Sequence, residues 1–88
     1  MANCYIINYD LNKSKDYESL FEAIKSYGTW AKILKSCWAV VSDRSAEEIR
    51  NHLQSVMDND DGIFVVRSAR YAAWENVECL DSWLENNL

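Results

Sequence analysis

Apolar residues fall along this chain in short runs of two different periods. Residues 3–9 are apolar on both parities, Tyr5, Ile7 and Tyr9 on one and Cys4 and Ile6 on the other. A strand with two apolar faces belongs in the middle of a sheet, covered on both sides. Tyr17, Leu20, Phe21, Ile24 and Tyr27 then recur three and four apart, which predicts a helix over 15–27 with one buried stripe. Ser14 or Asp16 can cap its start, and Gly28 can close it in the left-handed conformation. Trp30, Ile33 and Leu34 mark a second strand. Cys37-Trp38-Ala39-Val40-Val41 marks a third, with Lys35-Ser36 as the tight connection.

Ser45-Ala46-Glu47-Glu48 is a capping box and opens a second helix over 46–57, whose stripe is Ala46, Ile49, Leu53 and Val56. Asp58-Asn59-Asp60-Asp61-Gly62 turns the chain. Ile63-Phe64-Val65-Val66 is a fourth strand that continues to Arg67 or Ser68. In the tail, Val77, Leu80, Trp83 and Leu84 take up helical spacing. The expected fold is α+β: a ferredoxin-like βαββαβ antiparallel sheet, two helices on one face, and a short helical C-terminal extension. Residues 1–88 form one such domain. Two helices cover one side of the sheet, so its other face is expected to be bare in a monomer.

That bare face changes how the composition reads. Nearly half the chain is apolar (49%), including four tryptophans and five tyrosines. A domain of 88 residues hides only about 60–65% of its unfolded surface. The surplus favours a homodimer. Charge bears on the choice of partner. The net charge is −5, and the nine Lys and Arg residues are scattered. Duplex phosphates are held by clustered basic side chains, so nucleic acid is not the expected ligand. A basic or nucleic-acid-binding protein is the better match for this surface. Cys4, Cys37 and Cys79 are odd in number and lack CxxC spacing, which argues against a disulfide framework or a zinc site. With no signal-peptide pattern or membrane-length segment, the expected setting is the cytoplasm, and no membrane association is expected.

Chemistry-bearing residues are few. Asp10 ends the first strand, where a carboxylate can ligate a hard cation or cap the following turn. The Asp58–Asp61 run fails as a calcium loop, because from Asp58 glycine arrives at the fifth position and the twelfth is Ala69. It reads as a solvated turn. His52 has no nucleophile beside it and reads as a surface or boundary residue. Arg67 and Arg70 can contact phosphate or an acidic partner, or can pair with the protein's own carboxylates. Trp74 and Trp83 lie among Glu75, Glu78, Asp81 and Glu85, which points to core or dimer packing rather than base stacking. Arg67, Arg70, Trp74 and Trp83 are the expected interaction residues.

Tyr5-Ile6-Ile7-Asn8-Tyr9-Asp10-Leu11, followed by a helix closing at Tyr27-Gly28, resembles the small CRISPR-associated endoribonuclease family, the second of the core CRISPR-associated proteins. It is similar as well to SinR-like bacterial and phage relatives. The stretch from Ser36 to Arg50 and the acidic turn before Ile63-Phe64-Val65 extend the resemblance over roughly residues 4–68. VapD-like toxin ribonucleases share the architecture. The resemblance implies a ferredoxin-like homodimer and maps the family's proposed metal ligand onto Asp10. The basic residues after Asp10 are only Lys13 and Lys15, and the tail is rich in Trp and Glu. The expectation is therefore a small cytoplasmic homodimer of bacterial or phage origin that works by protein contact, without catalysis or cofactor. The alternative is a ribonuclease in which Mg or Mn is held by paired Asp10 carboxylates at the dimer axis.

Overall fold

The computed structural model describes residues 2–12 and 17–88. In chain order the elements are β1 (Asn3–Asp10), α1 (Glu18–Lys25), β2 (Thr29–Leu34), β3 (Cys37–Ser42), α2 (Ala46–Gln54), β4 (Gly62–Arg67) and α3 (Asp81–Asn87). The strands form one antiparallel sheet in the order β2-β3-β1-β4. The fold is α+β. β1 lies inside the sheet, as its two apolar faces predict, with Tyr5 opposite Val40 on one side and opposite Arg67 on the other. The β2–β3 hairpin turns at Lys35-Ser36 and shifts register between Lys32 and Leu34. Its turn is fastened to β1, because the Tyr9 N–H donates to the Ser36 carbonyl at 3.2 Å.

Strand alternation sorts the core into two layers. Tyr5, Ile7 and Tyr9 of β1 and Trp38 and Val40 of β3 meet Leu20 and Ile24 of α1 and Ile49 and Leu53 of α2. Full burial of each such aliphatic side chain contributes about 1.5–3 kcal/mol. Trp38 donates its indole N–H to the Tyr9 hydroxyl at 3.0 Å, so the polar ends of both rings are satisfied inside the layer. The α2 capping box is complete: Ser45 Oγ accepts from the Glu48 N–H at 3.1 Å, and Glu48 Oε1 accepts from the Ser45 N–H at 3.0 Å. Hydrogen bonds from the Ser45 backbone N–H and from its hydroxyl hold the Glu48 carboxyl below its ordinary value. Gly28 has φ of +89°, the conformation expected where α1 ends. The expected caps of α1, Ser14 and Asp16, lie outside the described residues. Tyr17 occupies the N-cap position without a side-chain cap bond.

The second face of the sheet corrects the expectation of a bare surface. Cys4, Ile33 and Ala39 on that face are covered by the tail, with Leu84 only 2% exposed and Trp74, Val77, Cys79 and Trp83 packed around it. The Glu78 N–H donates to the Ile33 carbonyl at 2.8 Å and pins the tail to β2. The Trp74 indole N–H donates to Asp81 at 3.1 Å, which ties the irregular lead segment to the start of α3. The helical extension over-reached as a spacing argument, because Val77 and Leu80 precede α3 and Leu80 is exposed.

Burial on this face has a consequence at alkaline pH. Desolvation pushes the Cys4 thiol from 9.0 up to about 11. In the unfolded chain the thiol ionises near 9, whereas the native state keeps its proton. Stability from this group is therefore whole below about pH 9 and is lost as pH rises toward 11. Between about pH 8 and about pH 10.5, Cys4→Ala should lose about 2 kcal/mol less than the wild type. Urea unfolding of both proteins at the two pH values checks this. Equal losses would show that the buried thiol does not contribute.

Candidate functional site

Asp10 stands exposed at the end of β1, opposite Gly62 of β4. Asn8, Tyr9, Asp10, Gly62, Ile63 and Phe64 line a shallow depression of about 280 Å³ beside it. Magnesium and manganese require oxygen ligands in six-fold arrays. Among the described residues Asp10 belongs to no group of three His, Cys, Asp or Glu side chains close enough to share a cation. Among the described residues Asp10 therefore has no three-ligand set to offer the Mg or Mn of the nuclease alternative. Further ligands would have to come from water, a substrate phosphate or a second copy, so the described residues of one chain do not fit a resident cation at Asp10.

The group that does converge is Asp58, Asp60 and Asp61, whose ligand atoms lie within 4.8 Å of one another. These residues have a structural task. The Asp61 N–H closes a turn onto the Asp58 carbonyl at 3.1 Å. One Asp61 carboxylate oxygen accepts from the Asn12 N–H at 2.9 Å and from the Tyr17 hydroxyl at 3.5 Å, while the other accepts from the Asp58 N–H at 3.0 Å. Asn12 also donates its side-chain amide to the Asp60 carbonyl. The acidic turn thus holds the loop after β1 against the entry to β4, in keeping with the sequence-based reading of a turn.

Arg67 ends β4, and Arg70 follows with φ of +74°, its N–H bonded to Ser68 Oγ at 3.2 Å. Neither guanidinium makes a salt bridge with an Asp or Glu among the described residues. Tyr71 beside them is 97% exposed. Trp74 and Trp83 are half-buried and pack against the second face of the sheet, so both are core-forming side chains in this chain. The structure does not bring Asp10 together with the arginines, since they sit at opposite ends of β4.

His52 is exposed on α2, with Nδ1 2.7 Å from the Tyr27 hydroxyl and the two rings edge to face. This contact joins the C-terminal ends of α1 and α2 on the surface. The feature that sequence reasoning missed is the outer edge of β4. Phe64 is 62% exposed and Val66 42%, whereas Ile63 and Val65 turn inward against the helix layer. All four residues are apolar, so alternation along the segment gives no sign of which pair faces solvent. No helix among the described residues is long and apolar enough to cross a membrane. Searched against protein-family models, the chain matches none.

Proposed function

We propose that this chain is a non-catalytic, homodimeric protein-interaction module of the cytoplasm. Its topology is read here as ferredoxin-like. The βαββαβ order, the interior β1 and β3, and the shared helix layer over one face support that reading. The observation that carries the function is the exposed apolar edge of β4, with Phe64 and Val66 in solvent beside a core that lies on both faces of the sheet. An uncovered apolar edge strand is a surface for pairing with another chain. The net charge of −5 suits a basic protein as the further partner of the assembly. Three free cysteines agree with a reducing compartment.

Light scattering at tens of micromolar should return twice the 10.2 kDa chain mass. The same preparation should leave single-stranded RNA intact in Mg²⁺ or Mn²⁺. A monomer mass would overturn the dimer. RNA cleavage abolished by Asp10→Asn would overturn the non-catalytic reading in favour of the ribonuclease.

A further inference from the structure

The geometry points to a specific two-fold contact: β4 of one chain pairs antiparallel with β4 of a second copy, centred on Val65. This rests on the homodimer reading above and adds its surface and register. The backbone fixes which groups are available. The Ser68 N–H donates to the Cys4 carbonyl at 2.8 Å, and the ladder continues with Ile6 opposite Val66 and Asn8 opposite Phe64. Bonding alternates along an antiparallel pair. Phe64 and Val66 therefore direct their backbone groups inward to β1, while Ile63, Val65 and Arg67 direct theirs outward to the open edge.

A second β4 satisfies those outward groups when Val65 faces Val65 of the second copy and Ile63 faces Arg67 of the second copy, in both directions. In that register Phe64 falls opposite Val66 of the second copy. Both lie on the same sheet face, at the close spacing of a non-hydrogen-bonded pair. The two most exposed apolar side chains of the strand then cover each other across the axis.

Charge selects the same arrangement. β4 is preceded by Asp60 and Asp61, ends in Arg67 and is followed by Arg70. Antiparallel self-pairing carries the arginine end of each strand to the acidic end of the other. Arg67 and Arg70, which have no carboxylate partner within their own chain among the described residues, meet opposite charge there. Parallel pairing would set like charges side by side. The register also decides the fate of Asp10. It lies one strand in from the edge and opposite Gly62. Three interstrand steps of about 4.8 Å, together with the offset along the strands, separate the two Asp10 residues by roughly 25 Å. They cannot share a cation in this dimer.

Phe64→Lys tests the surface, with Leu34→Lys on the opposite edge of the sheet as the control. Both side chains are substantially exposed, so both variants should keep the wild-type circular dichroism. Sedimentation of wild type should show a dimer, Phe64→Lys should raise its dissociation constant at least tenfold, and Leu34→Lys should leave it unchanged. Arg67→Glu with Arg70→Glu should weaken it several-fold and flatten its salt dependence. In Phe64→Cys with Val66→Cys, mild oxidation should give a covalent dimer that a thiol reductant reverses. A dimer that survives Phe64→Lys, or one broken by Leu34→Lys, overturns this interface and leaves the homodimer reading standing. A monomeric wild type overturns both.

Discussion

Leu84→Ala should destabilise the fold by about 2–4 kcal/mol, as urea denaturation at neutral pH would measure it. Leu84 is the tail side chain that reaches fully into the second layer of the core, against Cys4, Ile33 and Ala39. Truncation removes its transfer energy and leaves a cavity that the neighbouring Trp74 and Trp83 rings are too rigid to fill. A domain of this size has a total stability on the order of 5–10 kcal/mol, so the loss is a large share. The urea dependence should report the wild-type change in exposed surface if the tail unfolds together with the sheet. A loss under about 1 kcal/mol would mean that the tail is only loosely applied to the face it covers.

Asp61→Ala should cost about 3 kcal/mol, because it removes the acceptor for the Asn12 and Asp58 backbone amides and for the Tyr17 hydroxyl. Hydrogen bonds to a charged acceptor contribute more than neutral ones, and here those from Asn12 and Tyr17 join segments far apart in sequence. Asp60→Ala is the contrast. Only the backbone carbonyl of Asp60 accepts from the Asn12 amide, so in the monomer, below the dimer dissociation constant, its side chain should be dispensable to within about 0.5 kcal/mol. Thermal melts of the two variants separate the two roles. Equal losses would show that the turn is held by its backbone alone.

Much of this fold was legible from periodicity. Apolarity on both parities of β1 placed it inside the sheet, Ser45 and Glu48 marked the start of α2, and Gly28 marked the end of α1. The tail was not legible. Residues 68–80 cross the second face as irregular chain, and irregular chain has no period by which burial can be recognised. Val77 and Leu80 mimic helical spacing with Trp83 and Leu84, yet one packs on the sheet and the other points to solvent. The edge of β4 was hidden for the opposite reason, since a uniformly apolar segment looks the same whichever side faces water. Asp10 was located correctly at the end of β1. Its solitude depends on distances between elements, and one linear pattern does not carry those.

The tail's hydrogen bond to Ile33 also bears on how large an assembly can grow. Ile63-Phe64-Val65-Val66 is an uncharged, β-forming run on an open edge, the composition that seeds fibrillar stacking. Asp61 and Arg67 bracket it as charged gatekeepers. A sheet with two open edges could add copies without limit. Here the β2 edge is obstructed where Glu78 bonds to Ile33 and carries Lys32, whose ammonium lies 3.9 Å from Glu78. A two-fold contact through β4 consumes the remaining edge of both chains. Growth then stops at a closed pair rather than propagating as a filament.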